Sequence, residues 1–497
     1  MNLALPLAVA IPLLGAAVCA AVPGRWARRM IVGVCVVVVA AVGIAGLAAT
    51  SDGQVVVTRM GGFPGPFAIS FVADAFSSLM LVVFAVAAAC CLAFAAAHGE
   101  DAAPRYHAAA LALLAAAAGA TLTADLFNLF VWIEVLLLAS YVLLTTGSTA
   151  RRVRAGAIYV ATNFLGSTVF LLGVGLVYAT AGTVNLGSLR GQAASSDAVA
   201  IGGVLVLVAL AVKAGLVPVH AWLPRAYPAA PAGVTALFSG TLTKVGIVAM
   251  YRVVWVLFDG GQALAPVLLG VAGLTMIVGV LGAVGRTSMR GILSFHMVSQ
   301  MGYLVMALGL RSAAAIAAGV FFLAQYIGVK TGLFLTAGAV HAEQGTDELG
   351  ELCGLARRRP WLAATFLVTA LSLAGLPPFS GFVAKLALVR AALDQAGYWI
   401  AAVAVAVSLL TLLSMVKIWN GAFWGTPSER DIADDDASPA TASRRRRRTA
   451  ALVAPASLLA VATLGLGLGA EGLWTLAERA ARSLIDTTAY AGAVTGS

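Results

Sequence analysis

Fourteen apolar runs follow one another along the chain, and no other feature narrows the possible folds so far. They lie near residues 3–22, 30–49, 68–97, 107–123, 126–146, 156–180, 199–219, 232–258, 264–284, 291–310, 312–341, 361–390, 397–420 and 449–469. A helix rises about 1.5 Å per residue, so roughly 20 apolar residues cross a hydrocarbon core. The chain therefore reads as an all-α integral membrane protein of about fourteen transmembrane helices. Its 10% charged residues and mean hydropathy of +0.97 agree, since soluble domains carry roughly 25% charge. No basic residue precedes the first run, whereas Arg25, Arg28 and Arg29 follow it. A cleavable secretory signal has the reverse order, so this run is expected to remain as the first helix.

Arginine placement orients the helices. Of 31 basic residues five are lysines, leaving 26 arginines, and nineteen of these fall in alternate loops. They are Arg25, Arg28, Arg29, Arg105, Arg151, Arg152, Arg154, Arg225, Arg286, Arg290, Arg357, Arg358, Arg359, Arg430 and the run Arg444 to Arg448. The opposite loops hold Arg59, Arg190 and Arg311; Arg252 and Arg390 stand near helix ends, and Arg479 and Arg482 in the tail. The positive-inside rule then puts the first set in the cytoplasm and both termini outside a cell membrane. The net charge of +10 is an orientation signal, and the five-arginine run, preceded by DIADDD, reads as a topology determinant on a solvated cytoplasmic loop facing anionic lipid rather than nucleic acid. Cys19, Cys35, Cys90, Cys91 and Cys353 show no metal-ligand spacing, and no phosphate loop, haem motif or iron–sulfur pattern is present. No cofactor, metal site or enzymatic activity is expected.

Lysines are sorted differently. Lys213, Lys244, Lys330, Lys385 and Lys417 all fall within apolar runs. Arginine stays protonated almost everywhere, whereas a desolvated lysine can release its proton near neutrality, so lysine at depth suggests protons that come and go. Each charge at the bilayer centre costs about 2.5 to 3.5 kcal/mol on insertion scales, which calls for partners or a wet interior. Lys417, beside Trp419 and Trp424, reads as snorkelling to the interface. Glu134, in DLFNLFVWIEVLLLASYVLL, is the one carboxylate well inside an apolar run and is expected to pair with Lys213. Asp74 and Asp125, at helix starts, are capping residues or functional acids. His220, His296 and His341 supply groups that titrate near neutrality and serve as relay candidates, the alternative being hydrogen-bonded packing. Lys330 and His341 are eleven residues apart, hence nearly on one face and about 16 Å apart along a helix; His296 and Gln300 also share a face.

The chain repeats itself. AGLVP at Ala214 to Pro218 returns as AGLPP at Ala374 to Pro378, an offset of 160, and both interrupt long apolar runs. Five helices per copy invert the orientation, so the fourth to eighth and ninth to thirteenth helices are expected to form two inverted repeats, each with one proline-broken helix, the seventh and the twelfth. The expected organisation is 1–106 for the first three helices, 107–258 and 259–420 for the repeats, 421–448 for a charged cytoplasmic loop, and 449–497 for the last helix and tail.

The segments DLFNLFVWIEVLLLASY, VKAGLVPVHAWLPRAYPAAPAGVTALFSGTLTKVGI, LSFHMVSQMGYLVMALG, YIGVKTGLFLTAGAV, GTDELGELCGLARRRP and LSLAGLPPFSGFVAKLALVRAAL resemble the antiporter-like subunits shared by respiratory complex I and the Mrp multisubunit Na+/H+ antiporters. FHMVSQMGY, with glutamine at position 300, GTDELGELCGL and SGFVAKLAL point to the D-type branch of the Mrp group. The resemblance implies a coupled ion pair of Glu134 and Lys213, a central lysine at Lys244, polar relay positions at His296 and Lys330, and a terminal lysine at Lys385. Gln300, His341, Asp125 and His220 are further relay or entrance candidates. His220 and Arg225 depart from the pattern, standing where the D-type branch commonly has an aromatic residue and an aspartate. The implied function is proton conduction along the membrane midplane, coupled to Na+ export through other Mrp subunits in a hetero-oligomeric complex. A proton-pumping subunit of complex I or of a membrane hydrogenase is the alternative.

Overall fold

The structure is a computed structural model that describes residues 4–65, 68–103, 105–146, 149–426 and 439–496, with the backbone alone for 439–446. Among these, eleven helices are long and apolar enough to cross a membrane, and three shorter apolar helices, Leu7–Ala21, Tyr106–Leu122 and Pro360–Ala374, stand with them. The first helices are α1 (Leu7–Ala21), α2 (Arg25–Ala49), α3 (Ala75–His98), α4 (Tyr106–Leu122), α5 (Leu126–Leu144), α6 (Ala150–Ala181) and α7 (Asp197–Ala214). A short turn α8 (Leu223–Ala226) leads to α9 (Ala232–Gly240), α10 (Leu242–Phe258), α11 (Ala265–Val284), α12 (Met289–Leu310) and α13 (Ala313–Gln344). There follow a turn α14 (Leu355–Arg358), α15 (Pro360–Ala374), α16 (Ser380–Leu393), α17 (Tyr398–Ile418), α18 (Pro439–Leu468), α19 (Ala470–Ile485) and α20 (Thr487–Thr495).

Helix starts follow side-chain chemistry. Asp74, Asp125, Thr149, Ser196, Ser288 and Ser312 each accept a first-turn backbone N–H, at α3, α5, α6, α7, α12 and α13. An amide left unpaired there costs about 1 to 3 kcal/mol once buried. Burial then sorts the helices. The α9–α10 pair, α12 and α13 are almost wholly enclosed and are the least apolar of the long spans, while the other, more apolar spans leave more of their surface facing outward. These central helices carry Lys244, His296, Gln300 and Lys330. Small residues set the closest approach of α6 and α7: a Cβ on Gly173 would lie 2.7 Å from the Gly202 carbonyl oxygen, so no larger side chain fits.

Several expected runs divide. The run 199–219 ends as a helix at Ala214, because Gly215 takes the left-handed conformation (φ 70°). The run 361–390 breaks at Gly375 (φ 87°), and Leu216 and Leu376 then donate to the carbonyls five residues back, Ala211 and Leu371. A third break, unforeseen, falls at Thr241 within 232–258 and separates α9 from α10. The start of 68–97 is not helical: Ser70–Ala73 pairs antiparallel with Val56–Arg59 as a hairpin. The charged loop expected over 421–448 ends early, since the backbone of α18 is helical from Pro439, so the arginine run lies on a helix. Arg430, with the rest of 427–438, lies outside the described residues. The tail folds as α19 and α20.

Loop contacts close the two ends of the bundle. At one end Arg29 binds Asp101 (2.6 Å), Glu100 accepts the Gly233 N–H (3.0 Å), Arg290 binds Asp347 (2.9 Å), and Glu343 holds Arg359 (3.0 Å) and Thr449. At the other end the hairpin touches Thr123, and Asp125 bridges to Asn185. Here Arg59 donates to the Ala493 carbonyl (3.0 Å), Arg190 to Thr487 (2.9 Å) and Arg311 to the Gly260 carbonyl (2.8 Å). The three arginines that run against the charge rule are thus held by acceptors of that end.

Candidate proton-transfer site

The close packing of α6 on α7 brings Ser167 to Lys213. The Lys213 ammonium lies 3.9 Å from Glu134 on α5. It donates to the Ser167 hydroxyl (2.8 Å) and to the Asn163 carbonyl (2.9 Å), and Ser167 in turn donates to Glu134 Oε1. A hydroxyl that accepts from the ammonium and donates to the carboxylate joins the pair as a two-step bridge. Lys213 is buried, while the Glu134 side chain is 31% exposed. At the break that ends α7 the Val212 carbonyl accepts the Gly215 N–H (3.1 Å), and the Trp222 indole N–H adds a second bond to it (3.0 Å). In a membrane such a carbonyl needs a partner from the protein.

Among the described residues, no carboxylate pairs with the other lysines. Lys244 stands one turn past the Thr241 break, with Thr243 Oγ1 at 3.2 Å and its Nζ 4.5 Å from the Tyr326 ring centroid. Lys330, fully buried, has no hydrogen-bond partner among the described residues; its Nζ lies 5.3 Å from the Phe334 ring. Lys385 occupies the second break, where it donates to the freed carbonyls of Leu373 (2.9 Å) and Ala374 (3.3 Å), 4.8 Å from the Tyr303 ring. His296 Nε2 meets Ser414 at 2.5 Å, and among the described residues its Nδ1 is buried without a partner, as are both amide atoms of Gln300. Lys330 and Lys385 lie within electrostatic reach of His296, and Lys244 within reach of Lys330. Buried polar atoms without partners are costly, so this interior calls for water. A string of ammonium, imidazole and amide groups joined by water can pass protons from one to the next.

The remaining candidates lie elsewhere. Asp125 caps α5 by accepting the Asn128 N–H (2.7 Å). Asp74 caps α3 and binds Arg252 at 2.5 Å in a buried pair, over which the Tyr490 ring closes at 4.5 Å. His220 is half-buried in the segment after the first break. His341 lies at the end of α13, its Nδ1 3.7 Å from Asp347. Burial alone would push the Asp347 carboxyl up, but the Arg290 guanidinium and backbone N–H hydrogen-bond its oxygens and hold it below the usual carboxylate range. Lys417 does not simply snorkel: it donates to the Val284 (2.9 Å) and Arg286 (2.7 Å) carbonyls and so caps the end of α11. Among the described residues no cluster of three or more His, Cys, Asp or Glu is set to hold a metal.

Ser167, Asn163, Ser414 and the aromatic faces escaped the sequence reading. Asn163 and Ser167, four apart on one face of a membrane helix, were the available signal for the first pair.

Residues 123–411 match the family described as NADH:quinone oxidoreductase/Mrp antiporter, transmembrane. The D-type Na+/H+ antiporter protein of Alkalihalophilus pseudofirmus is 38% identical over 88% of this chain and 87% of its own length. Among solved structures, a chain of the Mrp complex from Dietzia sp. DQ12-45-1b superposes with a TM-score of 0.94 at 42% identity, covering all of both chains. A chain of respiratory complex I from Thermus thermophilus superposes at 0.81 with 25% identity, over 97% of this chain and 99% of that one.

Proposed function

The chain belongs to the NADH:quinone oxidoreductase/Mrp antiporter membrane family, within its D-type Na+/H+ antiporter group, and from that footing we propose that it is the proton-conducting subunit of a multisubunit Na+/H+ antiporter. The observation that carries the reading is the Glu134–Ser167–Lys213 bridge at the head of a buried run of Lys244, Lys330, His296 and Lys385. When Glu134 pairs with Lys213 through Ser167, the ammonium is supported. When the pair opens, that support is lost and the proton passes inward through water to Lys244. Lys330, His296 and Lys385 carry it onward along the midplane. The membrane potential acts on such transfers at about 2.3 kcal/mol per charge per 100 mV.

The finer architecture follows the same proposal. The eleven long helices and three shorter ones make fourteen crossings, with two inverted five-helix copies whose broken members are α7 and α15–α16. Matching left-handed caps at Gly215 and Gly375, offset by 160, support the duplication. The arginine-bearing loops that meet at one end mark the cytoplasmic face, which leaves both termini outside. The partial exposure of Glu134 fits cover by a partner subunit, and Na+ export runs through such partners. Vesicles carrying the whole complex should show Na+-dependent proton movement that vesicles carrying this subunit alone lack. Equal activity without partners would refute the division of labour.

A further inference from the structure

Lys244, Lys330 and Lys385 each stand over an aromatic ring. Nζ to ring-centroid distances are 4.5 Å for Lys244 and Tyr326, 5.3 Å for Lys330 and Phe334, and 4.8 Å for Lys385 and Tyr303. All three fall within the roughly 6 Å over which a ring quadrupole attracts an ammonium. Two of the rings are not independent. Tyr326 stacks on Phe322 (5.5 Å between centroids, 9° between planes), and Phe322 packs on Tyr303 (5.6 Å, 32°). One ladder of rings on α12 and α13 therefore has Lys244 of α10 at one end and Lys385 of α16 at the other.

Resting on the proton-conduction reading above, we infer that Tyr326, Phe334 and Tyr303 are positioning residues that hold the ammonium forms of Lys244, Lys330 and Lys385 in the buried centre of the bundle. The chemistry of a ring face explains why carboxylates are absent from these positions. A carboxylate holds a proton donor tightly and can itself take the proton, which traps a charge in transit. A ring face favours the cation, offers no base, and occupies no hydrogen-bond direction of the ammonium. The proton then leaves to water, to the next amine or to the His296 imidazole. Glu134 serves Lys213 differently because that pair must open and close, whereas the later lysines need a constant, weak support. Phe322, packed between the two tyrosine rings, acts by keeping their faces in place.

The test grades the ring without changing its shape. In the assembled complex, Tyr326→Phe keeps the face and should retain Na+-dependent proton movement near the wild-type rate. Tyr326→Leu should lose it by roughly threefold to tenfold. Mono-, di- and trifluorophenylalanine placed at position 326 drain the face progressively at nearly constant size, so the rate should fall stepwise from the phenylalanine value. Thermal unfolding of each variant reports folding, and Phe322→Leu should lower the rate as well. Equal rates for phenylalanine and trifluorophenylalanine in equally folded complexes would overturn the inference. Full activity of Lys213→Ala would instead overturn the transport reading on which it rests.

Discussion

Lys213 reaches Glu134 across the hydroxyl of Ser167, with 3.9 Å between ammonium and carboxylate and 2.8 Å between ammonium and hydroxyl. At 3.9 Å the direct attraction survives, while the hydroxyl supplies the short contacts. Ser167→Ala should therefore slow Na+-dependent proton movement by about tenfold, the effect of losing one charge-assisted hydrogen bond of about 1.5 kcal/mol. Ser167→Thr keeps the hydroxyl and should retain most of the rate. Assembly of the complex should be unchanged in both. Stopped-flow proton uptake in vesicles checks this.

Asp74 and Arg252 form a buried pair that ties α3 to α10. Asp74 caps α3, and Arg252 joins α10 to α3 and to Tyr490 of α20. Removing one partner leaves an uncompensated buried charge, which costs about 3 to 5 kcal/mol. Arg252→Leu should lower the thermal unfolding midpoint sharply. The double variant Asp74→Leu with Arg252→Leu should recover part of that loss, as a melting series would show.

Asp347 gives the fold a dependence on acid. Arg290 holds its carboxyl below the usual carboxylate range, against the opposing effect of burial. A carboxyl depressed in the folded state adds stability that is fully present above its unfolded value of about 3.9 and is lost as pH falls through the lower folded value. Unfolding midpoints should thus be flat from neutrality to about pH 5 for this tie and decline below about pH 4. In Arg290→Ala the difference from wild type should shrink as the pH drops.

Gly375 shapes the second break. Its φ of 87° is strained for any other residue, and a Cβ there would lie 2.8 Å from Lys385 Cδ. Gly375→Ala should cost about 1 to 2 kcal/mol from the backbone alone. It should also displace Lys385 from the Leu373 carbonyl and slow transport. Gly33→Ala, where a Cβ meets open space, should do neither.

Sequence alone revealed the pairs that electrostatics forces. A lone carboxylate and a lysine at bilayer depth must find each other, so Glu134 and Lys213 could be matched without coordinates. Ser167 could not, because a membrane serine ordinarily bonds the carbonyl four residues back, and the Asn163 carbonyl does stand 3.0 Å from this hydroxyl as an alternative acceptor to Glu134. Tyr326 and Tyr303 read as core, since an aromatic residue on an apolar helix carries no mark of what lies over its face. Ser70–Ala73 is too short a run to separate strand from helix by period. The helix α19 has Leu473, Ala477 and Leu484 on one buried face, but Glu471, Glu478, Arg479 and Arg482 kept it from reading as a membrane run. Breaks with Gly and Pro were legible at Gly215 and Gly375. The one at Thr241 has only Gly240 before it, and it was missed.

Protons enter the buried string, on this reading, through Glu134 and Lys213. The most direct measurement is Na+-triggered collapse of a pH gradient in everted membrane vesicles carrying the whole complex, with wild type, Glu134→Ala and Lys213→Ala at equal assembly. Both variants should lose the Na+-dependent signal while the complex remains intact. A full signal in either variant would contradict entry through this pair.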